Sequence, residues 1–372
     1  MSKKGSVAQV LRCTGLLGLV EAMPKNPHIV ILNYHRIGNP ELSPYDRGVF
    51  SATEKGLREQ VVYLKQRYHA LTVAQILDLK ETVRTLDRPA FMVTFDDGYI
   101  DNYELAYPIL QQFEIPGVFF IPTMILDGGA PFWWDVVAWL VRNSRNNLIC
   151  YDPEMGKQVN LNQQSREDVI REILQNIKTK TTCDYQGYLK HLASECSMSL
   201  ETLVREPNAP LFMSERMIVE MHRNGMVFGS HGHTHRILSH LSLDEQEQEL
   251  AQSKQKLATV LRESPLLLSY PVGSKRAFSQ DTMRLASRLF AYGFSYHGGF
   301  VQKNHQEWFD VPRESVDSGD SISLIRTRLQ CFWHLNRTMP RSGRRPTPDT
   351  HGGASDSSDW QSILIPSLHR PN

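Results

Sequence analysis

With 372 residues, 41% of them apolar and 22% charged, the chain can bury a sizeable core and is long enough for one large domain or two ordinary ones. A formal net charge of +1 gives no global attraction for nucleic acid or for an acidic surface, so no nucleic-acid partner is read. The five cysteines, Cys13, Cys150, Cys183, Cys196 and Cys331, are odd in number and form no C-x-x-C pair, which favours free thiols and a reducing, cytoplasmic location over a disulfide framework.

Residues 1–27 start basic and carry a short apolar patch, "TGLLGLV", closed in by Arg12 and Glu21. The patch is too short to span a membrane, and no A-x-A cleavage site follows it. We read an N-terminal helical segment, docked on the domain or in peripheral contact with a membrane surface. Membrane association or export through it is the alternative to a cytoplasmic location.

From residue 28 onward, apolar runs alternate with helical patterns. "HIVILNYH" (28–35), "AFMVTFDDG" (90–98), "IPGVFFIP" (115–122), "GMVFGSH" (225–231), "PLLLSYP" (265–271), "AYGFSYHGG" (291–299) and "DVPRESV" (310–316) read as about seven strands. Helices are expected over 51–69, over 101–113, and over 242–264, where Ser242 and Glu245 form a capping box. The alternation implies an α/β fold with a mainly parallel sheet, open or closed as a barrel. Residues 130–215, opening on "PFWWDVVAWL", interrupt it as a helical insertion or lid, and residues 331–372, rich in Pro, Ser, Gly and Arg, read as a disordered tail.

The polar signals sit at strand ends, where α/β sheets gather their ligands. "DDG" puts two carboxylates, Asp96 and Asp97, at one point, and "SHGHTH" puts His231 and His235 at i, i+4. Two imidazoles and one carboxylate suit a divalent ion with open positions for water. Such an ion would cancel one aspartate and leave the other ionised as a base. His233 would point the same way as its neighbours if 231–235 stayed extended.

"TFDDGY" (94–99) followed by "GSHGHTH" (229–235) resembles the polysaccharide deacetylase family, also called the NodB-homology domain or carbohydrate esterase family four. "ILNYHRIG" (31–38) and "YPVG" (270–273) resemble it too, and the likeness covers roughly residues 28–325. It implies a distorted (β/α) barrel over 28–330 and hydrolytic removal of N-acetyl groups from amino sugars of a polysaccharide or glycan. By motif position Asp96 matches the catalytic base. Asp97, His231 and His235 match the ligands of a divalent metal, with zinc expected, and His233 falls on a variable position. Tyr99, Tyr270 and Val272 are expected to line the substrate, with an amide of the 270–273 loop facing the oxyanion. Trp133 and Trp134 are read as a platform for sugar rings or as anchors of the insertion.

The departures from the family pattern are Gly232, where Ser or Thr is usual, and Ser269, where an arginine often holds the catalytic aspartate. Arg313 in "VPRES" is the expected substitute, because a guanidinium can fork onto a carboxylate. The terminal histidine that serves as general acid has no clean match; His297 is the candidate, with His35 on the same face. A same-fold hydrolase of another non-peptide C–N bond and a non-catalytic carbohydrate-binding relative are the alternative readings.

Overall fold

The computed structural model describes residues 26–127, 131–179, 185–200 and 211–329. Residues 1–25 and the tail 331–372 lie outside them, and so do the expectations of an N-terminal helix and a disordered tail. In chain order the strands are β1 His28–Tyr34, β2 Arg36–Ile37, β3 Phe50–Ala52, β4 His69–Ala70, β5 Ala90–Asp96, β6 Gly117–Ile121, β7 Leu148–Asp152, β8 Lys157–Asn160, β9 Val227–Ser230, β10 Leu267–Ser269, β11 Tyr292–Phe294, β12 Val301–Gln302 and β13 Glu314–Ser315. β1, β5 and β6 are buried from end to end, which is what unbroken apolar runs produce in a parallel sheet covered on both faces.

The main sheet follows the order β11-β10-β9-β6-β5-β1-β12. Its neighbours are parallel, except β12, which is antiparallel to β1. Val311 bridges Phe294 of β11 in parallel, and shortly after it Glu314 and Ser315 pair with Leu32 and Asn33 of β1. The stretch 311–315 therefore joins the two ends of the curled sheet into a distorted barrel.

The period-2 alternation of the strands divides the side chains between two cores. Tyr34, Phe95, Phe119 and Phe228 stack in a ladder across β1, β5, β6 and β9, with ring centroids 4.9–5.5 Å apart, on the side covered by helices. Ile31, Met92, Phe120 and Phe294 form the other apolar layer. The helix Leu243–Leu261 begins with the expected capping box: the Ser242 hydroxyl accepts from the Glu245 amide and the Glu245 carboxylate accepts from the Ser242 amide. Among the described residues no helix is long and apolar enough to cross a membrane.

Two segments differ from the sequence reading. The expected helix 101–113 is a π-helical turn, Asn102–Ala106, followed by an α-helix, Tyr107–Gln112. Pro108 donates no backbone hydrogen bond, and widening the turn before it removes the clash with the preceding carbonyls. The segment between β6 and β9 is not purely helical. Besides the helices Trp133–Arg142, Arg166–Thr179 and Tyr185–Glu195 it contains the antiparallel hairpin β7–β8, which turns through Gly156 at φ +62°. "LICYD" has the β-branched and aromatic content of a strand, and the polarity of its surroundings hid it.

Gly98 follows Asp97 in the turn after β5, and both are left-handed, at φ +70° and +76°. A Cβ at Gly98 would lie 2.6 Å from Ile125 Cδ1, whereas one at Gly156 would meet nothing within 4 Å. Both glycines have positive φ, so strain is common to the two sites and only Gly98 adds a clash. Gly98→Ala should therefore cost more than Gly156→Ala in urea unfolding, with the latter near ~1 kcal/mol. Equal losses would show that the turn can shift to admit the methyl group.

Candidate active site

Asp96 is the last residue of β5, and it meets Arg313 from the stretch that closes the barrel. Arg313 is 1% exposed. Its guanidinium forks onto the carboxylate, Nη1 to Oδ1 at 2.8 Å and Nη2 to Oδ2 at 2.8 Å. Its other donors are used as well: Nη1 reaches Asn33 Oδ1 (2.8 Å) and Thr94 Oγ1 (3.1 Å), Nη2 reaches Ser269 Oγ (2.7 Å), and Nε reaches the Ser295 carbonyl (3.0 Å). Phe120 lies under the guanidinium at 5.3 Å. Ser269, at the place where the family often has an arginine, accepts a bond from Arg313, which arrives just before β13.

Asp97 turns out of the strand toward the histidines. Its Oδ1 lies 3.3 Å from His235 Nε2 and 3.6 Å from His231 Nε2. One ligand atom from each of the three residues falls within 4.8 Å of the others. Two ligands at about 2.1 Å from a tetrahedral ion stand ~3.4 Å apart, so this spacing fits a metal ion. Asp97 Oδ1 is buried without a hydrogen-bond partner, an orphaned acceptor that a cation would satisfy. His231 Nδ1 donates to the Ser269 carbonyl at 2.8 Å, which leaves its Nε2 lone pair facing the cluster. His235 is set differently. It sits at φ +59°, its Nδ1 has no partner, and its ring is boxed by Trp134 at 4.9 Å, Phe132 at 5.4 Å and His231 at 4.7 Å. β9 ends at Ser230, so His233 does not stay on the same face; its ring nitrogens meet Thr123 Oγ1 and Gln252 Nε2.

Burial would raise the Asp96 carboxyl, but the charge of Arg313, helped by His231, the forked hydrogen bonds and His35, outweighs it and holds the group far below the usual carboxylate range. Burial also works against Asp97, and there the neighbouring His235, with His35 and His231, outweighs it, so that this carboxyl too is lowered. Burial pushes His231 down to about 4 against the pull of Asp96, which keeps the imidazole neutral as a ligand requires. Both carboxyls are thus held low, one against a guanidinium and one beside the imidazoles of His231 and His235.

The remaining expectations fare unevenly. Tyr99 does not face a substrate: it is fully buried, its hydroxyl donates to Asp135 Oδ2 at 2.8 Å and accepts from Trp134 Nε1 at 2.9 Å. Tyr270 is likewise fully buried, stacked on Phe278, with its hydroxyl on the Phe309 carbonyl and its amide on the Phe294 carbonyl. That amide is therefore not free for an oxyanion. Val272, at φ +64° and 40% exposed, is left as the open part of that loop. Trp134 is buried and walls His235, while Trp133 is half-buried against Tyr185 of the insertion at 5.3 Å. His297 is not brought to the cluster; its Nε2 is bound to Asp310 Oδ1 (2.6 Å) and Ser295 Oγ (2.9 Å). His35 is closer to the chemistry, since its imidazole acts electrostatically on both Asp96 and Asp97. Asn33 and Asp135 went unnoticed in the sequence. Asn33 donates to Asp96 Oδ2 at 3.2 Å, and the only hint was a polar residue one step before the "YH" that ends an apolar strand.

A sequence profile described as Polysaccharide deacetylase matches residues 191–292, the stretch that holds the His231–His235 loop. Over that stretch the chain is similar to the polysaccharide deacetylase family. A poly-β-1,6-N-acetyl-D-glucosamine N-deacetylase of Escherichia coli (strain K12) is 35% identical over 95 residues, which make up 25% of this chain and 14% of that relative, so the match spans only a small part of the relative's length. Among solved structures, the deacetylase PplD of Streptococcus pyogenes aligns with TM-score 0.53 at 17% identity, covering 82% of this chain and 98% of the other. A polysaccharide deacetylase from Bacillus cereus aligns with TM-score 0.51 at 15% identity, covering 81% and 69%. These likenesses show that the chain shares the curled-barrel fold of those proteins.

The turn that carries Asp97 rests on a second buried carboxyl. Asp135 is 0% exposed and accepts from Tyr99 Oη and from the Asp46 amide at 3.1 Å. Burial pushes its carboxyl up to about 7 against the Tyr99 hydrogen bond and the Arg36 charge. The folded protein therefore keeps this proton up to about pH 7, while an unfolded chain releases it near pH ~4. The stability that this group contributes is full below the unfolded value and is lost as pH rises through the folded one. Asp135→Asn should remove that slope. Urea-unfolding free energies of the variant, relative to the parent, should rise between about pH 4 and 7, and a flat difference across that window would contradict a raised carboxyl.

Proposed function

We propose that this chain is a metal-dependent hydrolase that removes N-acetyl groups from amino sugars of a polysaccharide. The observation that carries the reading is the division between adjacent aspartates: Asp97 turns an unpaired oxygen to His231 and His235, while Asp96 beside it is forked by Arg313. The identity to a poly-β-1,6-N-acetyl-D-glucosamine N-deacetylase supports an N-acetylglucosamine polymer as the substrate class.

Asp97, His231 and His235 would hold a divalent cation, zinc by its imidazole and carboxylate donors, which supplies Lewis-acid polarisation of the acetamide carbonyl and the attacking water. Asp96 takes a proton from that water as its oxygen adds to the carbonyl carbon. The Arg313 fork fixes the direction of the carboxylate at the cost of basicity, so Asp96 is an oriented but weak base. The amides of the Val272–Gly273 turn, which make no backbone hydrogen bond among the described residues, serve the oxyanion. His35 delivers a proton to the sugar nitrogen, the C–N bond breaks, and acetate leaves a free amine behind. Trp133, half-buried at the edge of the insertion, offers a ring to the apolar face of a sugar.

Acetate release from β-1,6- and β-1,4-linked N-acetylglucosamine oligomers, with metal content measured on the same samples, tests the reading. Asp97→Ala should lose both metal and acetate release. Asp96→Asn should keep the metal and lose about 10²–10⁴-fold in kcat, the usual worth of a general base. Equal metal loss in the two variants would refute the assigned division. Arg313→Lys should retain metal and lose rate, because an ammonium cannot make the planar fork; wild-type kcat in that variant would show that charge alone suffices. Metal binding without acetate release from any acetylated glycan would favour a binding protein.

A further inference from the structure

The loop that carries both histidines is gripped by a carboxylate that the mechanism does not use. Glu249 lies on the helix Leu243–Leu261 and is 4% exposed. Its Oε2 accepts the backbone amides of His233 at 3.0 Å and Thr234 at 2.8 Å. Its Oε1 accepts the Thr234 hydroxyl at 2.5 Å and Arg236 Nη2 at 3.1 Å. One turn further along the helix, the buried Ser253 shares a 2.5 Å hydrogen bond with the Ser230 hydroxyl, which in turn accepts the Gly232 amide at 3.1 Å. The helix thus holds, directly or through Ser230, each residue between His231 and His235.

The loop needs this support. His235 sits at φ +59°, a region unfavourable for a residue with a Cβ. No hydrogen bond to its Nδ1 sets the ring direction, so the direction has to come from the backbone and the aromatic walls. Gly232 has no side chain with which to tie the loop, and a Cβ built there would stand 3.7 Å from Glu249 Oε2. We infer that Glu249 is a positioning residue for the metal cluster: its carboxylate fixes the 233–234 backbone so that His235 Nε2 stays opposite Asp97 Oδ1. The inference rests on the metal reading above. Glu249 touches neither ligand imidazole and acts only through the loop.

The test is Zn²⁺ affinity, measured by competition with a chromophoric chelator, on the full chain and three variants, with melting temperatures of the metal-stripped proteins. Glu249→Ala should bind Zn²⁺ about 10–100-fold more weakly, the usual effect of losing an outer support of a metal ligand. Glu249→Asp keeps the charge but draws the carboxylate back by one methylene, and it should also bind several-fold more weakly, which covers the case in which the alanine variant does not fold. Leu257, on the same helix and 0% exposed, packs in the core. Leu257→Ala should lower the melting temperature and leave Zn²⁺ affinity unchanged, which separates loop support from general stability. A folded Glu249 variant with wild-type affinity would overturn the inference. So would a Leu257→Ala protein whose affinity falls as far as that of Glu249→Ala. Wild-type protein that binds no Zn²⁺ at all would overturn the metal reading, and this inference with it.

Discussion

The buried pair between Arg313 and Asp96 is the contact on which both the barrel and the site depend. Removing one partner of such a pair costs about 3–5 kcal/mol, because the charge left behind is buried without compensation. Here the guanidinium also holds Asn33, Thr94, Ser269 and the Ser295 carbonyl, so its donors reach β1, β5, β10 and the end of β11. The barrel closes through the stretch that carries Arg313, and the carboxylate it meets ends β5. Closure and orientation of Asp96 are therefore one event: an open sheet would leave this carboxylate beside Asp97 without the guanidinium that forks onto it.

Around that pair the site is built from backbone that a relaxed chain avoids. Asp97 at φ +76°, His235 at +59° and Val272 at +64° are non-glycine residues in the left-handed region, and each lies in a loop that follows a strand of the main sheet. Such conformations cost about 1–3 kcal/mol each and persist only where neighbours over-determine them. The neighbours are visible: Gly98 continues the turn after Asp97, and Glu249 and Ser253 hold the loop before His235. The strain brings Asp97 Oδ1, His231 Nε2 and His235 Nε2 to the spacing of metal ligands without drawing Asp96 into the same set.

The insertion takes part in this arrangement. Trp134 walls His235, and its indole N–H leads through Tyr99 to the buried Asp135. Arg36, paired with Asp101 and stacked over Tyr99, brings a positive charge that acts on that carboxyl. Tyr99 and Trp134, expected to touch sugar, are therefore used to pack the surroundings of His235, and Trp133 and Val272 are left nearer the surface.

Much of this was present in the linear sequence. Unbroken apolar runs located β1, β5, β6, β9, β10 and β11, because strands buried on both faces carry no polar alternation. The adjacent aspartates and the i, i+4 histidines named the cluster, since their spacing and their place after a strand are local properties. Tertiary structure decided which side chains each charge would meet. Arg313 reaches Asp96 across 217 residues, and Glu249 meets the histidine loop from a helix whose sequence marks its start but not that contact. Tyr99, Tyr270 and His297 read as site residues because they stand beside site motifs. Their side chains went instead to Asp135, Phe309 and Asp310, since a buried hydroxyl or imidazole takes the nearest partner the fold offers, and chain position does not name that partner.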